Sequence, residues 1–179
     1  RLLEKAKIKR TEVDTIFNIL TELAGFVLDG NGLDTDRGVS ELLKRYEAKY
    51  IKINKDHHFK TLLSAGILTE FEGVIEFKHK YIYYFYAGKF LADNLAKDAD
   101  YKTRIHSLTG NLHRIECANI ILFLTHHTKD PWVLDEVQKN MQDLFKENQQ
   151  ACLEPKDLDF MKEFLDEIPN LVIEQRVRW

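Results

Sequence analysis

Cysteine is nearly absent from this chain: Cys117 and Cys152 are its only two, and neither sits in a CxxC or zinc-finger spacing. That excludes a disulfide framework and a metal knuckle, and it fits a reduced, cytoplasmic setting. Phosphate-cradling loops are missing as well. No GxxxxGK[ST] or GxGxxG run occurs, so nothing in these residues would hold a nucleotide unaided. A strong charge of one sign is also lacking. The 26 Lys and Arg stand against 29 Asp and Glu, which argues against wholesale nucleic-acid binding but leaves room for a local patch. Neither a signal peptide nor a transit segment is recognisable at the start. The chain opens at Arg1 and stops after "EQRVRW", and both ends read as cuts through a longer polypeptide.

What is present is enough for a core that needs no staples: 179 residues, 44% of them hydrophobic. Residues 11–29, "TEVDTIFNILTELAGFVLD", set Val13, Ile16, Phe17, Leu20, Leu23, Ala24, Val27 and Leu28 on one helical stripe. Thr11 is the expected N-cap, with Asp14 near the positive end of the helix dipole. "DGNGLD" breaks that helix, a second starts near Asp36, and a third runs over about 54–65 from a capping Asn54 to Gly66. "ILTEF" and "VIEF", separated by Glu72-Gly73, then predict a β-hairpin. Three helices and a hairpin in this order predict a winged helix over residues 11–79, preceded by a linker or helix end at 1–10.

Six of the ten residues from Phe77 to Tyr86 are Phe or Tyr, and no proline interrupts Lys80 to Ala96. A helix apolar all round its first turns is buried on most sides. Lys78, Lys80, Lys89 and Asp93 keep the run short of the ~20 residues a membrane span needs, so a central core helix is predicted and no membrane partner. Further helices follow at "RIECANIILFLTHH", "PWVLDEVQKNMQDLFKEN" and "PKDLDFMKEFLDEI". The second of these carries a stripe of Val133, Val137, Met141, Leu144 and Phe145. Residues 80–179 are thus expected to form a helical domain truncated at its C-terminal end. The fold class is mainly α with one small β-hairpin.

Autonomous chemistry is not indicated, and no catalytic or metal-binding residues are assigned. The pairs His57-His58 and His126-His127 are adjacent on helices, so their side chains point roughly 100° apart and make no two-ligand face. His106 and His113 are separated by Thr109-Gly110-Asn111, a helix break. Asp98/Asp100 and Asp157/Asp159 stand where helices start, in keeping with dipole complementation more than acid–base work. From Lys44 to Lys60 there are six Lys or Arg against two acids. In a DNA-binding winged helix the third helix enters the major groove, which would make Lys55, His57, His58 and Lys60 the contact residues. The plain alternative is a lysine-decorated solvent face.

Taken together, "LTELAGFVLDGNG", "LLSAGILTEFEGVIEFKH" and "FYAGKFLADNL" resemble the winged-helix region of STAND ATPases, especially the NACHT branch. The similarity rests on the LxELA helix, on Phe77-x-His79 closing the wing, and on Phe85, Ala87 and Leu91 at six, eight and twelve positions after the histidine. Where many NACHT proteins carry glutamate five residues after that histidine, this chain has Tyr84, which suggests a divergent, bacterial member. The resemblance implies a non-catalytic regulatory fragment whose parent binds ADP or ATP with magnesium in an adjacent P-loop domain and self-oligomerises. It also implies that His79 reaches the ADP phosphates and locks a closed state. Two alternatives from other classes stay open: a winged-helix DNA-binding regulator with a helical dimerisation domain, and a helical scaffold for protein partners.

Overall fold

The computed structural model describes residues 12–34, 37–144 and 146–147, with isolated positions at 156, 158–159 and 162–163. Residues 1–144 and 145–179 are separate compact units. Among the described residues the first unit is seven helices and one hairpin: α1 Val13–Leu28, α2 Arg37–Glu47, α3 Lys55–Ser64, β1 Leu68–Phe71, β2 Val74–Phe77, α4 Lys80–Asn94, α5 Ala99–Thr109, α6 Ile115–His127 and α7 Pro131–Leu144. The mainly helical class with a small hairpin is as the sequence predicts. Thr11, the expected first cap, lies outside the described residues, as do Asp157 and most of the helix expected after Pro155.

Local chemistry explains most of the boundaries. Helix α1 ends in a Schellman turn: Gly30 N–H reaches Val27 O, Asn31 N–H reaches Phe26 O, and Gly30 adopts φ +81°. Asp34 Oδ1 then accepts from the N–H groups of Arg37 and Gly38 and starts α2. Asn54 caps α3 through His57 N–H, as its position predicts. The Glu72-Gly73 turn has φ of 48° and 74°, the two positive values that a type I′ hairpin turn requires. It sets the register Phe71↔Val74 through Leu68↔Phe77. Leu33 O accepts from Ile75 N–H and Asp34 bridges to Val74, so the loop between α1 and α2 adds a third short rung to the hairpin. Asp98 caps α5 and Asp130 caps α7, whose first residue is Pro131.

The core runs through α4. It buries Ile82, Tyr84, Tyr86, Ala87, Phe90 and Leu91, packing on α1 on one side and α6 on the other. Two glycines allow this sandwich. A Cβ at Gly88 would sit 2.7 Å from Leu124 N and 2.9 Å from Phe123 C; one at Gly25 would lie 2.5 Å from the Phe90 ring. Ring contacts fill the remaining space, with Phe17–Tyr86 centroids at 5.7 Å and Phe85–Phe123 at 5.6 Å. Burial pushes the Tyr83 and Tyr86 hydroxyls well above the usual phenol range. The aromatic run is therefore core, apart from Tyr81, which is 55% exposed. On α7 the expected stripe holds at buried Val133 and half-buried Val137, while Met141 is exposed; the Leu144 side chain and Phe145 lie outside the described residues.

Candidate functional site

His79 is the N-cap residue of α4, and its φ and ψ of −125° and 121° place the turn from hairpin to helix on that one residue. Its carbonyl accepts from Ile82 N–H, but its imidazole does not cap the helix. The ring is exposed and stacks on Tyr81, with centroids 5.5 Å apart and planes 21° from parallel. Lys78 and Lys80, on either side, are exposed as well. His79 is thus an exposed imidazole at the N-terminal end of a 15-residue helix, with an exposed lysine on either side in sequence, and an imidazole there can donate a hydrogen bond to an anion. Tyr81 also lines an apolar depression of about 260 Å³ with Leu20, Ile67, Phe85 and Phe123.

The residues expected to touch DNA share α3 but differ in exposure. His58 is buried, and its Nδ1 lies 2.7 Å from Asn54 O at the start of its own helix. His57 faces outward with Nε2 3.5 Å from Glu12 Oε1. Lys60 is exposed and Lys55 is half-buried. Two lysines and one histidine beside an acid remain on that surface. Among the described residues no three His, Cys, Asp or Glu side chains gather as metal ligands, and no helix is long and apolar enough to cross a membrane.

Sequence reasoning missed the polar groups with the most contacts. Glu22, in the middle of α1, has a side chain only 3% exposed, and both its oxygens accept from Lys49 Nζ at 3.0 Å. Arg45 Nε stands 3.5 Å from the same carboxylate, and its Nη1 pairs with Asp29. Asp29 is shared, since Arg104 of α5 bonds its other oxygen. That pairing pushes the Arg104 guanidinium further up, and Asp100 adds a 3.1 Å contact. Arg45 and Lys49 also lie over the Phe90 ring, 5.1 and 5.6 Å from its centroid. A second cluster joins α5 to α7: His106 Nδ1 meets Glu136 Oε1, and Asn140 Nδ2 donates to Glu136 and Thr109. In sequence these groups show only through Glu22, a charged residue beside the apolar stripe of its helix.

Comparison with known families bears on the first of these places. A family model described as Novel STAND NTPase 4 matches residues 36–87, from the start of α2 into α4, so this stretch is related to STAND NTPases. His79 lies inside it. No curated protein and no solved structure gives a significant match.

Proposed function

We propose that this chain is a non-catalytic regulatory part of a NACHT-like STAND ATPase, bacterial in origin, that couples ADP/ATP state to oligomerisation in signalling or defence. Residues 11–79 are its winged helix and 80–179 the helical domain that follows. The order α1, bridge residue Asp34, α2, α3, β1, β2 supports the winged helix. The observation that carries the functional reading is the His79 side chain: it neither caps α4 nor packs in the core, although it sits at the junction of both. An outward-facing imidazole with lysines as its neighbours in sequence suits a phosphate oxygen, and such a contact strengthens when the ring is protonated. A phosphate present in one nucleotide state and displaced in the other would bias a two-state arrangement through that contact. The nucleotide and its magnesium would be held by an adjacent P-loop domain of the same polypeptide. Buried Tyr84, where many NACHT proteins carry glutamate, marks the divergence of this member.

Calorimetry of ADP on the full-length polypeptide and its His79→Ala variant tests this, with residues 1–179 as control. The expected outcome is tight binding by the parent, at least tenfold weaker binding by the variant, none by the control, and an unchanged melting temperature. Equal ADP affinity and equal oligomer state in parent and variant would remove His79 from the switch. Salt-sensitive duplex binding lost on neutralising Lys55 and Lys60 would move the reading to a DNA-binding regulator.

A further inference from the structure

We infer that α5 is a releasable element, held on the α1–α4–α6 frame by an ionic catch whose central group is Asp29. Three observations carry this. First, the apolar hold on α5 is modest: of its 11 residues only Ile105 and Thr109 are buried, with Tyr101 and Leu108 half-buried against the core and Tyr101 edge-on to Phe90. Second, its link to α1 is charged: Arg104, one residue before buried Ile105, reaches Asp29, which also holds Arg45 of α2. Third, the burial is lopsided. The Asp29 side chain is 18% exposed whereas those of Arg45 and Arg104 are 26% and 37% exposed. Long cationic stems can swing their heads into water, while the carboxylate stays behind. The catch therefore opens from the cation side, and added salt weakens it because its cations already meet solvent.

Opening would not unravel the frame. Helix α5 lies between two turns, Leu95–Asp98 and Gly110–Arg114, that can absorb its movement. The frame itself is closed by apolar contacts and by the helix crossings at Gly25 and Gly88. Helix α7 would follow α5, since His106–Glu136, Asn140–Thr109 and the Lys102–Trp132 cation–π contact tie the two together. This inference does not depend on the nucleotide reading.

Hydrogen exchange on residues 1–179 measures the catch, helix by helix. In Asp29→Asn, amides of α5 are expected to exchange at least tenfold faster, with those of α7 rising too and those of α4 and α6 unchanged. Arg104→Gln, a milder change at a partly exposed side chain, should reproduce the α5 effect while leaving α2 protected. High salt should do the same to the unaltered chain and add little to either variant. Unchanged α5 exchange in both variants would show the pairs to be idle surface contacts. Equal acceleration in every helix would show them to support the whole fold, and either result overturns the inference.

Discussion

Helices α1, α4 and α6 and helices α5 and α7 are held by different physics. In the first group, a close backbone crossing leaves no room for a Cβ at Gly88, the Phe90 ring takes the space of one at Gly25, and the interfaces are filled by Phe, Tyr, Ile and Leu. In the second, carboxylates meet cations or imidazole, and among the described side chains only Ile105, Thr109, Val133 and Glu136 are buried. Close-packed apolar contact is insensitive to salt and pH but intolerant of volume. Ionic contact tolerates volume and responds to the solvent. A protein that must keep one part rigid while another responds would divide its chemistry in this way.

The largest expected effect comes from breaking the dry side. Gly88→Val would drive a branched side chain into the α6 backbone, which cannot move aside as a side-chain tip can. A loss of about 3 kcal/mol is expected, at the upper end of overpacking costs, read from urea melts. Gly25→Val, which meets the Phe90 ring instead of backbone, should cost less, about 2 kcal/mol. If Gly88→Val melts like the parent, the close crossing is not what closes the frame.

Next comes a charge change that sharpens the contrast. Lys49→Met leaves Glu22 nearly buried with Arg45 Nε at 3.5 Å as its remaining cation. Orphaning a buried carboxylate is costly, and with Arg45 still near the expected loss is about 2 kcal/mol. Glu22→Gln should cost less, about 1 kcal/mol, because the freed cations can turn to water. The order Lys49→Met above Glu22→Gln is the test; the reverse order would mean that the cations, not the carboxylate, are the trapped partners.

Legibility divides along the same line. The hairpin was readable because Glu72-Gly73 between two apolar runs offers the local conformations that a two-residue turn needs. The end of α1, the Asn54 cap and the buried character of α4 were readable for similar reasons, since each is set by residues within a few positions of one another. The Asp29–Arg104 pair spans 75 residues and His106–Glu136 spans 30, and no periodicity marks a partner that far away. The small residues at Gly25 and Gly88 were visible as letters, but their use depends on which helices cross. Asp34 reads only as the end of the helix-breaking "DGNGLD" run, yet it caps α2 and extends the hairpin, because a single bridge leaves no strand pattern. For the candidate site, His79 was located by resemblance, whereas the outward placement of its ring came from the structure.

Smaller still, and opposite in location, are two responses to acid. Burial, with Lys89 nearby, lowers the His127 pKa from its ordinary 6.5, and its Nε2 is buried without a partner among the described residues. The ring lies 4.6 Å from Phe85, on the dry side. A base whose pKa falls on folding stays neutral in the fold while the unfolded chain takes up a proton. Its contribution is therefore full above 6.5 and is lost as pH falls below that value. Glu136 behaves differently. Its hydrogen bond from His106 holds the carboxyl below its ordinary 4.5, so its contribution is present above 4.5 and fades as pH drops through the depressed value. Melts followed from neutral to acid pH should show two separate declines. His127→Gln is expected to flatten the first and Glu136→Gln the second. Exchange measured across the first window should quicken at the α4–α6 contact, and across the second at α5 and α7. A single decline near 4.5 that both variants alter equally would mean that the dry and ionic sides unfold as one.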